Sequence, residues 1–150
     1  MTEVTSEQEM REFGERVGAL FSGGELIELV GDVGAGKTTL VRGIARGMGV
    51  DETVQSPSFT ISRVYDASEN RQLVHYDFYR LNEPGIMQDE LRETMSDPTS
   101  VVVIEWADTV EELFPADRLT ITIRSTSETS RQLDLTAGGQ RSASLLEVLA

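Results

Sequence analysis

The segment whose residue types most clearly indicate chemistry is GDVGAGKT, residues 31–38, which matches the pattern G-x-x-x-x-G-K-[ST] at each fixed position. Its three glycines allow the backbone to approach a ligand closely, and the N–H groups of such a loop converge on nucleotide phosphates. Lys37 supplies a positive charge to those phosphates, and the Thr38 hydroxyl is suited to bind Mg²⁺. The pattern therefore predicts a nucleotide-phosphate site; the alternative is a glycine turn that matches by chance.

A second candidate is Glu105, which directly follows the apolar run VVVI, residues 101–104. Such a run is typical of a central parallel strand, and ligands bind at the carboxyl ends of these strands. We interpret Glu105 as the acid that orients Mg²⁺ or the attacking water beside the phosphate loop. The alternative is a surface carboxylate that merely ends the strand.

The segment HYDFYRL, residues 75–81, contains a third group of candidates. At strand spacing His75, Asp77 and Tyr79 lie on one face, and the apolar residues between them lie on the other. A polar face on a buried strand needs partners, which a nucleotide would provide. We interpret Asp77 as functional; the alternative is a His–Asp pair that faces solvent on an edge strand.

A proline-containing loop follows the predicted phosphate-loop helix, where related NTPases have switch segments. Its hydroxyls are suited to sense a γ-phosphate, and the candidates are Ser56, Ser58 and Thr60. The chain offers no second switch motif of the D-x-x-G type.

The elements that must position these residues follow from the hydrophobic pattern. Helices are predicted at 6–22, with Ser6 as N-cap, and at 37–48, 84–95 and 142–149; strands are predicted at 25–30, 59–65, 73–79, 101–104, 118–124 and 131–136. The strands at 59–65 and 73–79 are expected to form a hairpin, and AGGQ at 137–140 is interpreted as a hairpin turn. Strands alternating with helices predict a single α/β domain over residues 1–150, a P-loop NTPase with a mainly parallel central sheet, flanking helices and an antiparallel hairpin region.

Composition restricts the function further. The 13 Lys and Arg residues against 26 Asp and Glu give a net charge of −13, which repels a phosphate backbone. Lys37 is the one lysine in the chain. The absence of cysteine and the presence of one histidine leave few side chains that could bind zinc.

No apolar run reaches the roughly 20 residues of a membrane span, and the N-terminus lacks the pattern of a secretory signal, so we expect a cytoplasmic protein.

Taken in order, GDVGAGKTTLVRG, SPSFTI, HYDFYRL and VVVIEW resemble the motifs of the TsaE family, formerly YjeE. This family is the ATPase subunit of the bacterial machinery that makes threonylcarbamoyladenosine in tRNA. The resemblance extends from residue 13 to about residue 135, and the HYDFYRL and IEW segments are more specific than the phosphate loop. One departure is Ser58, where the family usually has threonine, but the hydroxyl is kept.

The resemblance implies a site for ATP and Mg²⁺. It places ATP on Asp32, Val33, Gly34, Ala35, Gly36, Lys37, Thr38 and Thr39, with Glu7, Ser130 and Arg131 near the base. It places Mg²⁺ near Thr38 and Glu105, gives Asp77 a part in hydrolysis, and makes Trp106 a wall of the site. It further implies TsaB- and TsaD-like partner proteins, with tRNA bound only through them.

Three other functions stay open at this point. A small-molecule P-loop kinase would have a similar phosphate loop but needs a lid with arginines, and residues 84–95 contain only Arg92. A regulatory GTPase would need N-K-x-D to recognise guanine, which the chain lacks. A scaffold that binds ATP without hydrolysing it is the non-enzyme alternative, and hydrolysis measured with and without partners separates it from an ATPase.

Overall fold

The computed structural model describes residues 2–32, 34–55, 61–78, 85–107 and 111–149. Within these ranges the strands are β1 (Thr2–Val4), β2 (Leu26–Val30), β3 (Ser62–Asp66), β4 (Gln72–Asp77), β5 (Ser100–Glu105), β6 (Leu119–Ser125) and β7 (Arg131–Ala137). The helices are α1 (Glu7–Ala19), α2 (Lys37–Gly47), α3 (Gly85–Ser96) and α4 (Gln140–Leu149), with a short 3₁₀ helix at Glu111–Leu113. None of the described helices is long and apolar enough to span a membrane.

The described strands form one sheet in the order β1-β7-β6-β2-β5-β4-β3. Its centre is parallel, since β2 pairs in parallel with both β5 and β6, and β5 pairs in parallel with β4. Antiparallel pairs flank this centre on both sides: β3 with β4, and β7 with β6 and β1. The predicted α/β class, with a parallel centre of the sheet and an antiparallel hairpin region, is confirmed.

Two hydrophobic cores cover the two faces of the sheet. Because side chains alternate along a strand, Val101 and Val103 of β5 enter the core that includes α1, α2 and the end of α4, whereas Val102 and Ile104 enter the other. Leu91 of α3 belongs to this second core. The all-apolar run of β5 therefore reflects burial on both faces, as the sequence predicts.

Helices α1 and α2 approach each other closely through glycine. A Cβ atom on Gly43 would lie 2.3 Å from the Arg11 carbonyl oxygen, and one on Gly14 would lie 2.6 Å from the Leu40 carbonyl oxygen. Side chains at these positions would push the helices apart. The contact fixes the start of α1 relative to α2, and thus relative to the loop that precedes α2.

Most predicted elements are confirmed with shifted ends. Ser6 caps α1, since its hydroxyl oxygen accepts a hydrogen bond of 3.1 Å from the backbone N–H of Glu9. Helix α1 ends at Ala19 and not at residue 22. Residues 59–60 of the predicted strand before β4 lie outside the described residues, and the described strand runs over Ser62–Asp66.

The interpretation of AGGQ as a hairpin turn is wrong. The segment connects β7 to α4, which begins at Gln140, and the turn that joins the antiparallel β6 and β7 is formed by residues 126–130. The physical reason is a distant helix cap: the Asp117 carboxylate accepts hydrogen bonds of 3.0 Å from the backbone N–H groups of both Arg141 and Ser142. These bonds favour the start of a helix directly after the two glycines.

Candidate active site

The carboxyl ends of three neighbouring parallel strands bring the predicted residues together. Asp77 of β4 and Glu105 of β5 are register partners, and Glu105 is also the register partner of Leu29 in β2. The phosphate loop begins at Gly31, directly after β2. Both acids therefore lie at the edge of the sheet from which the loop emerges, as expected for a ligand site in an α/β sheet.

The phosphate loop has the backbone conformation that its glycines permit. Gly34 and Gly36 have φ angles of 84° and 104°, in the region that favours glycine. Gly36 is the N-cap of α2 and has no side chain to accept hydrogen bonds from the first turn, which contains Lys37, Thr38 and Thr39. The positive end of the helix and its N–H groups are therefore directed to the site where a phosphate would bind.

Lys37 is buried, and three groups near its ammonium are of kinds that stabilise a positive charge. Its Nζ donates a hydrogen bond of 2.6 Å to the Gly31 carbonyl oxygen and lies 3.9 Å from Glu105 Oε1. It also lies 3.9 Å from the centroid of the Trp106 ring. Trp106, at φ 56°, directly follows Glu105, so its backbone bends sharply where the strand ends. Trp106 thus lies beside Lys37 at the phosphate loop, and its role as a wall of the site stays a prediction.

Burial lowers the pKa of the Lys37 ammonium, and the negative charges of Glu105, Asp77 and Asp32 oppose that shift. The lowered pKa means that Lys37 loses its proton at a lower pH than an exposed lysine. A bound phosphate adds negative charge next to the ammonium and so favours the protonated form.

The affinity for ATP is therefore expected to fall as pH rises through the lowered pKa of Lys37, because the neutral amine no longer attracts phosphate. Calorimetric Kd values for ATP measured at a series of pH values up to about 10 test this. The matched control is Lys37→Arg, whose guanidinium stays charged over the whole range. Equal losses of affinity with pH in the two proteins would contradict the prediction.

Glu105 is held between His75 and Lys37. His75 is fully buried, and its Nε2 lies 2.5 Å from Glu105 Oε2. Asp77 is 8% exposed and faces the same side of β4 as His75. The alternative of a solvent-facing His–Asp pair on an edge strand is wrong, because β4 lies between β3 and β5 and His75 pairs with Glu105.

A cleft of about 660 Å³ lies beside the phosphate loop. It is lined by the start of α1, the loop and the β6–β7 turn, including Glu7, Gly34, Ala35, Gly36, Thr39, Glu128, Thr129 and Arg131. The structure thus places Glu7 and Arg131 in the cleft beside the loop, and the turn contributes Glu128 and Thr129 instead of Ser130. The predicted contact of these residues with the base stays a prediction. Arg131 Nε donates a hydrogen bond of 3.1 Å to the Ala35 carbonyl oxygen, so it also ties the turn to the loop.

The residues expected near Mg²⁺ supply oxygen donors of the kind that this ion prefers. These are the Thr38 hydroxyl, in the first turn of α2, and the Glu105 carboxylate. No group of three or more His, Cys, Asp or Glu residues in the described ranges could hold a metal ion by itself.

Five predicted residues, Val33, Ser56, Ser58, Thr60 and Tyr79, lie outside the described residues. The sequence reasoning missed two contacts, the Lys37 bond to the Gly31 carbonyl and the pairing of His75 with Glu105. The sequence gives part of the signal for the contact between His75 and Glu105, since the alternation along the strand predicts that His75 lies on a polar face. The partner of His75 depends on the order of the strands in the sheet, which the sequence pattern does not reveal.

Comparison with known proteins extends the similarity well beyond the phosphate loop. The family described as "Threonylcarbamoyl adenosine biosynthesis protein TsaE" matches residues 4–133. The Streptomyces coelicolor protein named "tRNA threonylcarbamoyladenosine biosynthesis protein TsaE" is 39% identical over 137 residues, which are 88% of this chain and 93% of that protein. The Bacillus subtilis protein of the same name is 35% identical over 147 residues, 95% of this chain and 89% of that protein. The crystal structure of Bacillus subtilis YdiB matches with a TM-score of 0.81 at 32% identity, covering 99% of this chain and 91% of that chain.

Proposed function

The chain belongs to the TsaE family of tRNA threonylcarbamoyladenosine biosynthesis proteins, and from this premise we propose that it is the ATP-binding and ATP-hydrolysing subunit of that machinery. The observation that carries the proposal is the convergence of Lys37, Glu105 and Asp77 at the phosphate loop. A non-hydrolysing scaffold would need the lysine and the loop but would have no use for two buried acids at the same strand ends.

In this proposal Lys37 acts in phosphate binding, whereas Glu105 and Asp77 act in hydrolysis. The phosphate loop and Lys37 bind the β- and γ-phosphates, and Lys37 exchanges its bond to the Gly31 carbonyl for contacts with phosphate oxygens. Mg²⁺, held with the help of Thr38 and Glu105, would neutralise charge on the phosphates. Glu105 and Asp77 orient the water that attacks the γ-phosphate.

We further propose that the protein acts through TsaB- and TsaD-like partners and meets tRNA only through them. The net charge of −13 opposes the phosphate contacts that supply most of the affinity of nucleic-acid binding. Protein contacts are not limited in this way, because an acidic surface can dock on a basic one.

Two experiments are expected to separate protein partnership from tRNA binding. In a pull-down, purified TsaB- and TsaD-like proteins should be retained by this protein, and ATP should increase the amount retained. In a filter-binding assay at physiological salt, the isolated protein should not retain bare tRNA. The control is Lys37→Ala, which should lose the ATP-dependent part of the association.

Strong binding of bare tRNA by the isolated protein would contradict the proposal. Association with the partners that is unchanged by ATP, or no association at all, would equally contradict it and would favour the small-molecule kinase. In the kinase case, transfer of the γ-phosphate to an acceptor other than water should be detectable.

A further inference from the structure

We propose that His75 is a positioning residue that holds Glu105 in its working orientation. This inference rests on the proposed function, since it assigns a part in ATP hydrolysis to a residue that acts through Glu105. The bond between His75 Nε2 and Glu105 Oε2, at 2.5 Å, is the contact that carries it.

The burial of His75 indicates that packing alone does not explain the residue. His75 is fully buried, and its neighbours on the same face of the sheet are the apolar Leu73 and Val103 and the charged Asp77 and Arg63. A buried imidazole is costly unless it is hydrogen-bonded, so an apolar side chain would fill this position more easily. Its other ring nitrogen, Nδ1, is buried and has no hydrogen-bond partner among the described residues. The hydrogen bond to Glu105 is therefore the interaction that explains a histidine at this position.

The two oxygens of Glu105 are divided between two partners. Oε2 faces His75, whereas Oε1 lies 3.9 Å from Lys37 Nζ. Because an ionised carboxylate can only accept hydrogen bonds, the proposal assigns the proton of this bond to His75 Nε2, as the donor to Glu105. Without this donor, the carboxylate is free to turn and to pair more closely with Lys37. It would then be misplaced for hydrolysis and would compete with phosphate for the lysine.

Three substitutions separate the hydrogen bond from the shape of the side chain. His75→Gln places an amide N–H near the position of Nε2, His75→Asn has the same amide on a side chain too short to reach it, and His75→Leu has no donor. We expect the single-turnover rate of ATP hydrolysis to fall about 10- to 100-fold in the Leu and Asn variants and to recover at least partly in the Gln variant. The Kd for ATP should change less than the rate.

Tyr76→Phe is the matched control for damage to the buried strand. Tyr76 is the next residue of β4, lies on the opposite face and contacts Thr94 through its hydroxyl, at 3.0 Å. This variant should keep the wild-type rate even if its Tm falls. Equal rates for the Gln and Asn variants, or a wild-type rate in the Leu variant, would overturn the proposal.

A double-mutant cycle distinguishes failure of this inference from failure of the proposed function. If His75 acts through Glu105, His75→Leu should cause no further loss of rate in a Glu105→Gln background. A wild-type rate in Glu105→Gln alone would instead remove the assigned role of Glu105, and the role of His75 with it. A further, independent loss in the double variant would reject His75 as a positioning residue while leaving Glu105 in place.

The wild-type protein itself offers a test that does not depend on the folding of any His75 variant. His75 is the one histidine of the chain, so the imidazole signals in an NMR spectrum belong to it. We expect a downfield Nε2–H proton protected from exchange in the wild type and in Tyr76→Phe, and its loss in Glu105→Ala. An Nε2 without a proton in the wild type, or a signal unchanged in Glu105→Ala, would overturn the proposal.

Discussion

Replacement of Lys37 by alanine is expected to abolish tight ATP binding. Lys37 is the one lysine of the chain and the buried cation at the phosphate loop, so no other lysine can replace its charge. Removal of one partner of a buried charge pair costs about 2–5 kcal/mol, which raises Kd about 30-fold at the least. Calorimetric titration with ATP and Mg²⁺ measures the effect.

The matched control for the Lys37 substitution is Arg46→Ala. It removes one positive charge from the same helix, but its side chain is 80% exposed and pairs with Glu15. Its Kd should stay close to that of the wild type. Thermal unfolding of both variants must show folded protein, because Lys37→Ala also leaves Glu105 without its neighbouring cation. A Kd for ATP close to that of the wild type in a folded Lys37→Ala variant would remove the assignment of the phosphate loop.

The local part of the fold is predictable because it depends on short patterns. Local residue patterns are enough to predict three features of the fold. These are the helix cap at Ser6, the strand that precedes the loop and the apolar strand that ends at Glu105. The loop pattern is equally local, since its glycines and Lys37 lie within eight residues. These features predict the fold class and the position of the phosphate loop without knowledge of the tertiary structure.

The rest could not be predicted because it depends on residues far apart in sequence. Strand β5 lies between β2 and β4, and only this order makes Asp77 and Glu105 register partners. The same order brings His75 to Glu105, 30 positions away. A similar long-range contact explains why AGGQ leads into a helix and does not form a hairpin turn, because the cap of that helix comes from Asp117.

Removing the charge of Glu105 or Asp77 is expected to stop hydrolysis while ATP binding is largely retained. Glu105→Gln and Asp77→Asn keep the size and shape of each side chain but remove its negative charge and replace one acceptor oxygen with an amide N–H₂ group. General-base and water-orienting groups contribute typically 10²–10⁴-fold, and we expect the single-turnover rate to fall by about 100-fold or more. The Kd for ATP should change by less than about 10-fold, because the loop and Lys37 provide the main phosphate contacts.

Glu147→Gln is the matched control, because it removes one negative charge from an exposed position on α4. It should keep the wild-type rate, which would show that the reduced net charge is not the cause of any loss. Two outcomes would contradict the assignment of Glu105 and Asp77. Wild-type hydrolysis in either variant would remove that residue from the reaction. A loss of affinity as large as the loss of rate would mean that the acids serve binding, and the chemical step would then depend on groups outside these two strand ends.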